Sequence, residues 1–108
     1  MGNNNSFSIE DLKKILNPFF KKHNIIKAVV FGSYARNTEN RKSDLDLILV
    51  QRTGKRFFDR YNDIIDIYEY LRGVQTDILI YTPEELERIS SRPFIRNAFD
   101  EGVTIYGD

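Results

Sequence analysis

Two short apolar runs constrain the fold most. Ile25–Phe31 (IIKAVVF) and Asp44–Val50 (DLDLILV) are aliphatic, rich in β-branched residues and too short for buried helices, so both read as strands. The second carries aspartates at alternate positions. Residues two apart on a strand point the same way, which puts Leu45, Leu47 and Leu49 on one face, the expected core face, and Asp44 with Asp46 on the other. Like charges side by side on an apolar strand are costly unless a cation or a proton lies between them.

Helical patterns surround these strands. Ser8-Ile9-Glu10-Asp11 reads as a relaxed capping box and Phe7 with Leu12 as a hydrophobic staple, predicting a helix from Ile9 to about Lys22 that Pro18 either kinks or restarts. After a turn at Arg52–Lys55, a helix is predicted from Phe58 to Leu71, ended by Gly73, and then a third strand from Val74 to Tyr81. Thr82-Pro83-Glu84-Glu85 supplies cap, first-turn proline and capping glutamate for another helix. A last helix from Pro93 to Asp100 stops at Gly102, before the extended VTIY. This alternation, with 108 residues of which 41% are apolar, predicts one α/β (α+β) domain, a small mixed sheet flanked by helices, over residues 8–108. Residues 1–7, MGNNNSF, are expected to form a disordered terminus.

Sixteen basic and sixteen acidic side chains cancel, which argues against strong non-specific binding to nucleic acid or anionic membrane. Without cysteine there is no disulfide framework or thiolate metal site, and no N-terminal apolar run reads as a signal peptide or membrane span. The expected location is the cytoplasm.

Asp44 and Asp46 suit a shared hard cation such as Mg²⁺, which takes one or two protein carboxylates and completes its shell with phosphates and water. An isolated D-x-D pair is weak evidence. Asp77, in the third strand, adds weight because aspartate is disfavoured inside strands; an edge-strand charge that discourages aggregation is the alternative, but three aspartates that break local rules in two otherwise apolar strands favour the ligand role. Gly32-Ser33 follows the first strand and precedes a plausible helix start, an arrangement that points backbone N–H groups at an anion. Arg36, Arg41 and Lys42 lie in or beside that loop and could neutralise a triphosphate.

Gly32-Ser33, ten intervening residues and Asp44-Leu45-Asp46 resemble the G-S-x(10)-D-x-D signature of the DNA polymerase beta nucleotidyltransferase superfamily. With GSYARN, the Asp77 strand and the short length, the chain resembles the minimal nucleotidyltransferases found beside HEPN-domain proteins. That resemblance implies a polymerase beta-like fold, with Asp44 and Asp46 as ligands of two Mg²⁺ ions and Asp77 as a third carboxylate on the catalytic ion. Mn²⁺ would also be accepted. Gly32 and Ser33 would hold the β- and γ-phosphates of ATP, with Arg36 beside them. It further implies AMP transfer to a hydroxyl of a HEPN-domain toxin, with this chain as antitoxin. Asn37 departs from the pattern, standing where glycine is usual, and tolerates the same left-handed backbone.

Two other readings stay open: a non-catalytic antitoxin that occludes its partner with an apolar helix face around Phe94, Ile95 and Phe99, and a transferase acting on a small-molecule hydroxyl. Homo-oligomerisation is also open. Arg52, Lys55 and Arg56 read as a solvated basic cluster, His23 as a helix-end residue, and Phe57, Phe58, Tyr61, Tyr68 and Tyr70 as core or partner surface before base-stacking groups.

Overall fold

The computed structural model describes residues 7–32, 34–35 and 44–107. Helix α1 (Ile9–Lys22) opens with the predicted capping box. The Ser8 hydroxyl accepts from the Asp11 N–H at 3.0 Å, and the Asp11 carboxylate accepts from the Ser8 N–H at 3.1 Å. Pro18 does not end the helix. Lys14, whose carbonyl it leaves without a helical donor, is exposed as Pro18 is, so water can satisfy the orphaned group. Phe7 packs against the core; the expectation for the other opening residues falls outside the described ones.

Strands β1 (Ile25–Phe31) and β2 (Leu45–Gln51) pair antiparallel, and β2 pairs parallel with β3 (Thr76–Tyr81). The closing VTIY is a true strand, β4 (Val103–Tyr106), antiparallel to β1, so the mixed sheet runs β3-β2-β1-β4. Leu45, Leu47 and Leu49 are fully buried against Leu12, Leu16, Phe19 and Phe20 of α1, as expected. The opposite face is covered as well. Ile48, Val50 and Val29 are buried there, beside α4 (Pro83–Ile89), which packs on β2 and β3, and α5 (Pro93–Glu101), which packs on β1.

The helix predicted over 58–71 is two short ones, α2 (Phe57–Asp63) and α3 (Ile67–Tyr70), joined by tight i to i−3 turns in which Ile67 N–H donates to the Ile64 carbonyl. Arg60, Ile64, Ile67 and Leu71 are still buried at helical spacing, so the apolar period is intact while the backbone breaks. Tertiary contacts account for the break. Asp66 is drawn to the end of α1, where Lys22 Nζ lies 3.0 Å and His23 Nε2 2.9 Å from its carboxylate, and the β-branched Ile64, Ile65 and Ile67 offer little helix propensity against that pull.

Gly102 does end α5, but for reasons of space. Its backbone is extended (φ −77°), and a Cβ there would collide with the Ala98 carbonyl and meet Val29 Cγ1 at 2.6 Å. The free edge of β3 is capped by α2: Tyr61 Oη donates to the Ile78 carbonyl at 2.8 Å and Arg60 Nη1 to that of Ile80 at 3.3 Å.

Candidate active site

In the parallel pairing of β2 with β3, Asp46 and Asp77 are Cα partners. Registered residues of parallel strands share a face, so both carboxylates stand on the α4/α5 side, about 5 Å apart at the backbone. The alternation TDILIY buries Thr76, Ile78 and Ile80 and turns Asp77 out to solvent. Farther along the same face Ile48 and Val50 are buried, so the aspartates occupy the end the helices leave uncovered. Asp44 is half-buried just before β2.

Electrostatics tie the three together. Burial raises the Asp46 carboxyl above the ordinary carboxylate range, and the negative charges of Asp77 and then Asp44 raise it further. On adjacent strands the two carboxylates repel, by roughly 1 kcal/mol once solvent screening at the exposed Asp77 is allowed for. The pair therefore attracts a cation or a proton.

Gly32, at the end of β1, is fitted to this pair. Its φ is 74°, the left-handed region, and a Cβ at this position would stand 2.5 Å from Asp46 Oδ2. The glycine lets the chain turn and leaves the carboxylate its place. Phe31, directly before it, is the antiparallel Cα partner of Asp46 and lies on the same face. Its ring meets Phe94 of α5 edge-on, with centroids 5.7 Å apart and planes at 88°.

Of the predicted site residues, then, Gly32, Asp46 and Asp77 are brought together and Asp44 lies within electrostatic reach. Ser33, Arg36, Asn37, Arg41 and Lys42 lie outside the described residues. Among the described residues no three His, Cys, Asp or Glu side chains form a group able to hold a metal ion unaided. Two neighbouring carboxylates instead suit an ion that draws its remaining ligands from phosphate and water, as Mg²⁺ does.

Elsewhere the structural readings suffice. Lys55 pairs with Asp63 at 2.9 Å and its carbonyl accepts from Arg60 Nε at 3.0 Å, His23 caps α1, and Tyr61 closes the β3 edge. Phe57, Phe58 and Tyr68 are exposed. Of the three residues of the alternative apolar face on α5, Phe94 is exposed, Phe99 is half-buried with Lys27 Nζ 5.7 Å from its ring centre, and Ile95 is buried. The Phe31–Phe94 wall was not legible in the sequence. Only the β1–β2 register, which sets Phe31 opposite Asp46, reveals it.

A nucleotidyltransferase domain model matches residues 9–105. A Methanocaldococcus jannaschii chain provisionally named protein adenylyltransferase MJ0435 is 34% identical over 74 residues, covering 68% of this chain and 78% of that one. Among solved structures, a toxin–antitoxin crystallised with AMP-PNP aligns over 89% of this chain and 73% of its own, with a TM-score of 0.66 at 16% identity. A structure provisionally described as a minimal nucleotidyltransferase aligns over 90% and 95%, with a TM-score of 0.64 at 24% identity. The two structures share the fold of this chain.

Proposed function

This chain belongs to the nucleotidyltransferase family, and from that premise we propose that it transfers AMP from ATP to a hydroxyl of a partner protein, a HEPN-domain toxin that it thereby silences as antitoxin in the cytoplasm. The observation that carries this is the pairing of Asp46 with Asp77 in register on the uncovered end of the sheet, against a glycine that leaves the Asp46 carboxylate its place. The relative named as a protein adenylyltransferase and the toxin–antitoxin neighbour support the choice of acceptor and partner.

Asp44, Asp46 and Asp77 would hold Mg²⁺. Bound there, Mg²⁺ neutralises phosphate charge as it develops on the leaving group. Gly32 and Ser33 bind the β- and γ-phosphates through backbone N–H groups and the serine hydroxyl, and Arg36 adds positive charge beside them. The acceptor oxygen forms its bond to the α-phosphorus as the bond from that phosphorus to the bridging oxygen breaks and pyrophosphate leaves. Asp77, the exposed member of the pair, would help take the proton of the acceptor hydroxyl. Asp46, raised in proton affinity by burial and its neighbours, is the member most in need of positive charge beside it.

The test is to incubate the chain with a HEPN-domain protein encoded beside it, α-labelled ATP and Mg²⁺, and to repeat with Asp44→Ala plus Asp46→Ala. Label on the partner that disappears with the double variant is the expected result. Neutralisation of the partner without label, unchanged in the variant, would establish occlusion instead.

A further inference from the structure

Between the end of β1 and α5, beside the Gly32 that faces Asp46, lies a pocket of about 130 Å³, lined by Phe31, Gly32, Phe94, Asn97, Ala98 and Glu101. We propose that it is the nucleobase subsite of the nucleotide, in which the purine lies against Phe94 and the Asn97 amide selects adenine over guanine; this rests on the functional reading above.

Topology brings the pocket to the right place. The chain divides at Gly32. Before it, Phe31 points to the Asp46 side of the sheet; beyond it, Tyr34 is buried in the core cluster on the leucine side. A nucleotide with its α-phosphate at Asp46 therefore straddles the end of β1. Its base falls on the α5 side, into a pocket that shares Gly32 as a wall.

Chemistry of the wall fits a purine. Phe94, Asn97, Ala98 and Glu101 recur at helical spacing and form one stripe of α5. Phe94 is 55% exposed although its ring already packs edge-on against Phe31, which leaves a ring face for stacking. Ala98, small and buried, keeps the space between them open. One turn on from Phe94, Asn97 offers a carbonyl and an amide N–H₂ side by side, the complement of the adenine N6 donor and N7 acceptor. Guanine presents two acceptors on that edge, O6 and N7, and sets O6 against the asparagine carbonyl.

The experiment measures binding of the full chain, with Mg²⁺ present, to ATP, GTP and inorganic tripolyphosphate by calorimetry. Wild type is expected to prefer ATP to GTP by about tenfold or more. Phe94→Ala is expected to weaken both purine nucleotides by about tenfold or more while Phe94→Tyr retains them, and Asn97→Ala to bring the ATP to GTP ratio near one. Tripolyphosphate reports the phosphate and metal side alone, and its binding is expected to be unchanged in all three variants, which also shows that they are folded. ATP and GTP binding no tighter than tripolyphosphate, or ATP binding unmoved by Phe94→Ala and Asn97→Ala, overturns the subsite and leaves the functional reading standing. Loss of AMP transfer with nucleotide binding unchanged overturns it too and gives the pocket to the acceptor. Failure of wild type to bind either ATP or tripolyphosphate overturns the functional reading and the subsite together.

Discussion

Replacing Gly32 by alanine separates the site from the fold. At φ 74° any Cβ is strained, a cost of about 1 kcal/mol. The added methyl also stands 2.5 Å from Asp46 Oδ2, closer than a carbon and an oxygen can rest. The carboxylate is the end of a side chain, so it relieves the clash by swinging aside, and little further stability is lost. A Tm lower by roughly 4–8 °C is expected for a domain of this size. Net stabilities run to about 5 kcal/mol or more, so the variant stays almost wholly folded at 20 °C. Activity responds differently. A displacement of about 1 Å in a group that positions the reaction costs on the order of 100-fold in rate. Transfer of labelled AMP, measured beside thermal melting, therefore should fall about 100-fold in a folded protein. Gly54→Ala is the control, since a Cβ there meets nothing within 4 Å. Transfer within threefold of wild type for Gly32→Ala, or a loss that merely tracks the unfolded fraction, would refute the coupling of this glycine to the Asp46 carboxylate.

Glu85 bonds Arg60 through both carboxylate oxygens, at 2.6 and 2.9 Å, and Arg60 is only 5% exposed, so Glu85→Gln strands a buried cation and should cost about 3 kcal/mol in urea unfolding at pH 7. The Arg60 hydrogen bond holds the Glu85 carboxyl at about 2, below its ordinary 4.5; its stabilisation is thus complete above about pH 4.5 and is lost as pH falls toward 2, where wild type and variant should converge. Gly102→Ala forces a Cβ onto the Ala98 carbonyl and Val29, and a loss of roughly 2 kcal/mol or more is expected by chemical denaturation, equally with and without nucleotide. Asp46→Asn removes a like charge from beside Asp77 and should raise stability in chelator by roughly 1 kcal/mol after solvent screening. Added Mg²⁺ should raise the Tm of wild type but not of this variant, and an equal rise in both would count against Asp46 as a ligand.

Local signals carried much of the fold. The capping pairs Ser8–Asp11 and Thr82–Glu85, the β-branched runs and the alternation of leucine with aspartate each act over a few residues, and each element they predict is present. What the sequence concealed was decided at a distance. The break at Ile64–Asp66 depends on Lys22 and His23, more than forty positions away. VTIY is a strand because β1 offers it an edge, and its four residues alone are too few to fix one. Burial of the second sheet face required knowing that α4 and α5 cross it. Within the site, D-x-D announced itself by breaking strand preference, and Asp77 did so more faintly. The register that sets Asp77 beside Asp46 belongs to a parallel pairing across a long connection, which no short stretch encodes. Phe94 was legible only as part of an apolar helix face and Asn97 not at all, since an amide on an amphipathic helix is ordinary.

The placement of the charges follows from how the two faces are covered. One face of the sheet is sealed by α1 over its leucines. On the other, α4 and α5 shield Ile48, Val50 and Val29 but leave Asp46 half-buried and Asp77 exposed. Farther along the covered face, the same two carboxylates would be desolvated at a cost of several kcal/mol each. Fully in water, they would lose the low-dielectric surroundings that make a bound cation strong. Half-burial of Asp46 beside an exposed Asp77 lies between these limits: the repulsion is small enough for the domain to bear and large enough to favour positive charge. Glycine at position 32 belongs to the same compromise, because any side chain there would push the half-buried Asp46 carboxylate aside.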